Sequence, residues 1–431
     1  AQAITSTTTL IAITAMRPRR RAGASVLLAL LCDLAETAAP DACPVGESCA
    51  GGPADRRARW DSAEPADDPK AIKVARSPSG MITATNRGTA ILDGAAAEFV
   101  RLVEVLRDPA RKLRLEARLA STAVTYVDPY QGRFVDLSAL PEEVTAVARS
   151  VHSRSTNYIS DKQQFGREAR RASVEGSVVP RTFETAAEAA AALSEGGGLA
   201  FVKSCCGTSG QDVMPIHVED LPDLELPKEH IVQEGVSELA LWRGRKFVIR
   251  AYLVAHGGAL HVSRHAFVVS HGAVYDAGSA SYEIHVKHAG YMDKDSKIKI
   301  FPLSRLEGSD VDGPALFNAI VDAVGRAGAM FEAIVEQTRL DPMRYALLGL
   351  DVIPKTDGTV RFIECNSWPN IVHTQEVNEE VNVKTLVSLL RALLDAPGPR
   401  AGTEGAEGRG EEALDAVEYS LIKVWEPPAP E

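Results

Sequence analysis

The chain lacks the features that mark several specialised protein classes. Six cysteines (Cys32, Cys43, Cys49, Cys205, Cys206, Cys365) are scattered over 431 residues. That is too few for a disulfide framework, and no CxxC pair suggests structural zinc. No segment reaches the roughly 18 consecutive apolar residues of a membrane span, so no integral membrane segment is expected in the mature chain. Outside the N-terminus there is no Lys/Arg-rich stripe, and the formal net charge is −11, which argues against nucleic acid as a partner. A repeating strand–helix–strand pattern is missing as well. What remains is the composition of a soluble globular protein, 45% hydrophobic and 24% charged, long enough for one large domain or two to three ordinary ones.

The N-terminal region reads separately from the rest. Met16 precedes "RPRRRAG" and then "ASVLLALLC", the order of a signal or transit peptide. Residues 1–42 are read as this leader, which places the protein in the secretory pathway or an organelle; without it the protein is cytoplasmic. Residues 43–80, rich in Gly, Ala, Pro, Asp and Arg, read as a disordered linker. Folded sequence is expected from near Ile82, with an N-terminal α/β subdomain over 81–160, a core over 161–396 and a polar tail over 397–431. "AAAEFVRLVEVLRD" carries apolar residues at helical spacing, "TAVTYVDP" reads as a strand, and "PEEVTAVARSVHS" as a helix with Pro141 in its first turn. Thr185 is placed to cap a helix running to about Leu193. The chain is thus α+β with mixed strands and helices.

Chemistry concentrates in "LLGLDVIPKTDGTVRFIECNSWPNI". Asp357-Gly358 is a dipeptide favoured in two-residue hairpin turns. With Thr356 facing Thr359, Asp351 falls opposite Glu364, with Cβ atoms about 5 Å apart, and Asn366 shares their face. Both strands are almost continuously apolar, so the acids are not solvated surface residues. Two opposed buried carboxylates require an offset, and Mg²⁺, which takes carboxylate, amide and phosphate oxygens, supplies one.

A magnesium site calls for phosphate partners. In "FVKSCCGTSGQDV", Lys203 ends a strand, and Gly207, Thr208, Ser209 and Gly210 form a loop whose N–H groups can wrap phosphate oxygens. "HIVQEGV" is an apolar strand ending at Gln233-Glu234, where backbone groups can meet a purine edge. "RKFVIRAYLV" carries Lys246 and Arg250, the latter inside an apolar strand, where it needs a carboxylate or phosphate. Structural pairing of Arg250 with one of the acids is the competing reading.

The order of these pieces resembles the ATP-grasp ligases, most closely the tubulin-tyrosine-ligase-like branch, over roughly Lys162 to Leu394. The resemblance implies two α+β subdomains with antiparallel or mixed sheets holding ATP between them. It implies an ATP-dependent carboxylate–amine ligase: ATP phosphorylates a carboxylate, and an amine attacks the acyl phosphate. Carried over residue by residue, Lys203 holds the α/β-phosphates. Gln233, with Glu234 and Val236, takes the adenine, and Lys162 matches an upstream nucleotide-binding lysine. Lys246 and Arg250 become the catalytic contacts to the γ-phosphate and acyl phosphate. Asp351, Glu364 and Asn366 bind one or two Mg²⁺ ions. This chain departs from the branch at Val248, where the tubulin-modifying members have Asp. It departs again in "IHVKHAG", where Lys287 and His288 are left to face the nucleotide. An acidic chain is poorly suited to acidic tubulin tails. The expected substrates are therefore an amino acid, peptide or small acid, with an amine. The rival readings are a kinase-like phosphotransferase on the same fold and a nucleotide-binding protein without ligase activity.

Overall fold

A computed structural model describes residues 71–127, 135–151, 153–207, 210, 212–288, 290–291, 295–307, 309–395 and 418–428. The expected leader and most of the expected linker lie outside these residues. All of the described residues belong to the unit Glu64–Glu431.

Among the described residues the first elements, β1 (Ile72–Lys73) and β2 (Ala75–Arg76), fall inside the stretch expected to be linker. β3 (Ile82–Thr85) leads into α1 (Thr89–Glu104) and α2 (Pro109–Ser121). Asp108 caps α2 by accepting from the N–H groups of Ala110 and Arg111, with proline in the first turn. β4 (Thr122–Tyr126) then lies parallel to β3, closing one strand–helix–strand crossover. β5 (Val135–Asp136) pairs with β1.

The helix expected from Pro141 is instead a strand, β6 (Ala146–Ser150). Pro141 begins a turn, with Val144 N–H bonded to its carbonyl. The β-branched residues Val144, Thr145 and Val147 suit a pleated slot better than a helix. That slot lies between β4 and β14 (Arg344–Pro354), both parallel to β6.

After α3 (Ser153–Ser160) and α4 (Lys162–Arg171) comes a four-stranded antiparallel sheet, order β7–β10–β8–β9. Its members are β7 (Thr182–Phe183), β8 (Leu199–Ser204), β9 (Val213–His217) and β10 (His230–Glu234). Thr185 caps α5 (Ala186–Leu193) as expected, its hydroxyl accepting from Glu188 N–H. Strand alternation then divides the small sheet. Ala200, Val202 and Val232 pack on Ala189 and Leu193 of α5. Phe201, Lys203 and Gln233 face the other way.

The larger sheet has ten strands and mixed direction. Its centre is β11 (Phe247–His256), flanked by β12 (Ala259–Ser270) and β14, with β15 (Val360–Asn366) on the far side of β14. β13 (Ile300–Pro302) and β16 (Leu421–Trp425) cover different lengths of the outer edge of β12. Thus Leu421–Trp425, within the stretch expected to be a polar tail, form a strand, while residues 397–417 of that stretch lie outside the described residues. Because β6 joins β14, the strands of residues 81–160 and those of the core form one sheet.

Odd-numbered residues of β11 (Phe247, Ile249, Ala251, Leu253) pack with α6 (Gly313–Ala327), α7 (Glu332–Arg339) and Phe165 of α4. Even-numbered Tyr252 and Val254 pack under α1 and α8 (Lys384–Leu394). The remaining even positions, Lys246, Val248 and Arg250, lie on that same face beyond the second core. This end of the sheet is where the polar residues gather.

Candidate functional site

Three strands set one row across the large sheet. Arg250 of β11 pairs in register with Asp351 of β14, and Asp351 with Glu364 of β15. The opposition of the two acids is as the sequence suggests, but the turn is not. Lys355 and Thr359 close a three-residue loop, with Gly358 at φ 78°, which alone would bring Ile363 opposite Asp351. A register shift follows between Asp351 and Val352, where Val352 faces Phe362. The extra residue, Ile363, forms a bulge that restores Glu364 to its place.

The competing reading of Arg250 describes its contacts. Its Nε and Nη2 donate to the two oxygens of Asp351, at 2.5 and 3.0 Å. Gly349 makes room for this, since a Cβ there would come within 2.7 Å of Pro369 and 3.1 Å of the Arg250 side chain. Glu364 lies 3.8 Å from the Lys162 ammonium and accepts from Asn366 Nδ2 at 3.2 Å. Burial, outweighing Arg250, pushes Asp351 up to about 6. Burial would raise Glu364 too, but Lys162, Asp351, Lys203 and Asn366 together hold it down to about 2.

Arg250 and Lys162 therefore already offset the two carboxylates, so their burial does not by itself require a metal. Two carboxylates and an amide are nonetheless an all-oxygen donor set that fits a hard cation, and each carboxylate oxygen keeps a further lone pair. Among the described residues no group of three or more His, Cys, Asp or Glu side chains could hold a metal. Such a set could supply only part of a hard-cation shell, and ligand oxygens or water would have to supply the rest.

Two further lysines have neutral hydrogen-bond acceptors. Lys203 of β8 is 6% exposed, and its ammonium donates to the Gln233 side-chain carbonyl at 2.6 Å. Lys246, just before β11, is 5% exposed and donates to the backbone carbonyl of His285 at 2.8 Å. The ring of Phe201 lies near both, its centroid 6.0 Å from the Lys203 ammonium and 5.1 Å from that of Lys246. Burial lowers Lys203 to about 8, and burial with the charge of Lys203 lowers Lys246 to about 7. Lys162, Lys203 and Arg250 thus act on two carboxylates, and Lys246 adds a fourth cation beside Lys203. The surplus is positive and buried, which is the electrostatic shape of an anion site.

The other expected residues divide. Lys162, at the start of α4, donates to Gly207 O at 2.6 Å and so ties the glycine loop to Glu364. Gly207 has Asp212 close on its open side, and Gly210, at φ 73°, packs on Val286 and His288. Thr208 and Ser209 lie outside the described residues. Gln233 is buried, with its amide 3.4 Å from the Thr182 hydroxyl. The Glu234 carboxylate points to the α5 side, gripped by Arg181 at 2.9 and 3.0 Å, so its side chain is not part of this site. Val236 borders a small apolar cluster of Leu239, Val248 and Ile353, with Tyr275 and Ile363. Lys287 is half-exposed and paired with Glu283, away from the cation cluster. His288 stays near, its ring 5.9 Å from that of His271.

Phe201 and His271 were not expected. Phe201 was legible, because it lies two positions before Lys203 and strand alternation puts both on one face. His271 belongs to no motif. Among the described residues, no helix is long and apolar enough to cross a membrane.

No family model matches the chain, and no curated protein matches it. A solved structure that resembles it is the C-terminal domain of Pby1 from K. lactis, described as an ATP-grasp enzyme interacting with the mRNA decapping enzyme Dcp2. The two are 15% identical with a TM-score of 0.46, over 72% of this chain and 89% of that one.

Proposed function

We propose that the protein is an ATP-dependent carboxylate–amine ligase of the ATP-grasp type, akin to the tubulin-tyrosine-ligase-like branch. Its proposed substrates are an amino acid, peptide or small acid together with an amine, rather than tubulin. One observation carries the reading. Lys203 and Lys246 are buried ammonium groups, projected from two facing sheets, whose hydrogen-bond acceptors are neutral carbonyls. Glu364 and Asp351 offset part of the charge on Lys203, but burial dominates at both lysines, and a polyphosphate relieves that cost.

In this reading Lys162, Lys203 and Lys246 neutralise the phosphate chain. The apolar cluster around Val248 and Ile353, two residues along each strand, receives the base. Asp351, Glu364 and Asn366 would hold Mg²⁺, which when bound withdraws charge from the phosphate oxygens. Arg250 is oriented by its bidentate bond to Asp351 and stabilises the charge that develops as phosphoryl passes to the acceptor carboxylate. The amine then attacks the acyl carbon and phosphate leaves.

The test uses the full chain with ATP, Mg²⁺ and pools of acids and amines, following ADP. Release that needs both an acid and an amine supports the ligase. Release with hydroxyl acceptors alone makes the protein a phosphotransferase. Nucleotide binding with no turnover in any pool leaves a binding protein.

A further inference from the structure

His271 is the most deeply buried histidine near the cation cluster, at 1% exposure. Its backbone N–H donates to Lys246 O at 2.8 Å, continuing the β11–β12 ladder in which Phe247 faces Ser270. Directly opposed residues share a face, so its side chain stands on the side of Lys246, Val248 and Arg250. Its Nδ1 lies 3.0 Å from the carbonyl of Ile284, which fixes the proton on that nitrogen. Nε2 is then a bare lone pair. It is buried and, among the described residues, has no hydrogen-bond partner. Burial first, and Lys246 and His288 next, hold this imidazole neutral.

A native structure rarely leaves a buried acceptor unmet. The donor it lacks cannot be phosphate, which at neutral pH offers acceptors only. Nor is it the metal row, since Val269 of β12 stands between His271 and Phe267, the residue opposite Arg250. Diagonally across the ladder from it is Val248, which pairs with Val269 and belongs to the apolar cluster with Ile353 and Tyr275.

We infer that His271 Nε2 accepts a hydrogen bond from an N–H or O–H donor on the nucleoside half of the bound nucleotide, and so sets nucleotide specificity. The inference rests on the nucleotide reading above. The donor is either the exocyclic amine of the base or a ribose hydroxyl, and the two are separable.

The experiment measures Kd, with Mg²⁺, for ATP, ITP, 2′-deoxy-ATP, 3′-deoxy-ATP and inorganic tripolyphosphate. It compares the wild type with His271→Asn, whose amide N–H keeps the donor to Ile284 but which has no atom in the place of Nε2. The wild type should bind one analogue, the one without the donor, about tenfold more weakly than ATP, the scale of one unmet hydrogen bond. His271→Asn should lose about as much for ATP, stop discriminating, and bind tripolyphosphate unchanged. Equal binding of all four nucleotides by the wild type overturns the inference, even if the variant does not fold. So does a variant that binds ATP normally, or one that loses tripolyphosphate in step with ATP, which would make His271 structural. A wild type that binds tripolyphosphate but no nucleotide also removes it. One that binds neither removes the proposed function with it.

Discussion

Lys246 shows how a single side chain links stability to function. Its ammonium is buried against an aromatic ring and a carbonyl, and its folded-state pKa, about 7, lies below the 10.5 of an exposed lysine. The unfolded chain therefore holds the extra proton between those two values. Across that window stability rises with pH; below about 7 the full cost of the buried charge is present. Lys246→Met should thus raise the unfolding free energy at pH 7 by at least about 1 kcal/mol, less than the shift alone implies because the His285 carbonyl loses its donor. The advantage should shrink as pH approaches 10, and nucleotide affinity should fall. Urea titrations of both proteins at several pH values read this directly, and a variant less stable than wild type at every pH would refute it. The lysine itself was legible from its place before an apolar strand. Its lack of an acid was not, because only the fold decides which carboxylates Arg250 and Lys162 have already taken.

The β14–β15 hairpin teaches a second lesson about legibility. The opposition of Asp351 and Glu364 follows from the sequence only if the turn has two residues and the ladder is regular. Neither holds: the loop has three, and Ile363 bulges. The two one-residue offsets cancel. Turn dipeptides are readable because Gly supplies a positive φ in either turn type, but a bulge among β-branched and aromatic residues leaves no local mark. In the same way, "PEEVTAVARSVHS" has a helical start signal, and its fate as β6 was decided by the open edges of β4 and β14. The arrangement of the hairpin makes the turn a stability element and the bulge a site element. Gly358→Ala, forced to φ 78°, should cost about 1–2 kcal/mol in denaturant unfolding yet leave nucleotide affinity within about twofold. A large loss of affinity would mean that the turn, and not the bulge, sets the acid row.

At the scale of the molecule, the class was readable as α+β from the mixture of helix and strand periodicities. The joining of the N-terminal strands to the core sheet was not, since β6 and β14 lie some two hundred residues apart and pair at only two positions. The same holds for β16, which sits in a stretch that reads as tail. It lies along Leu260–Ser263 of β12, with Trp425 seated where a Cβ on Gly328 would collide, and with Glu418 and Ser420 bonded to His265 and Arg264. β13 covers the opposite end of that edge. Without β16, a run of unpaired N–H and C=O groups on an apolar strand would be open as a template for a second chain. A chain ending at residue 420 should therefore associate with concentration in sedimentation runs while the full chain does not; equal behaviour would show that the edge needs no guard. The last described strand thus acts as an in-built chaperone for the central sheet, because its own pairing with β12 holds it on the edge that it guards.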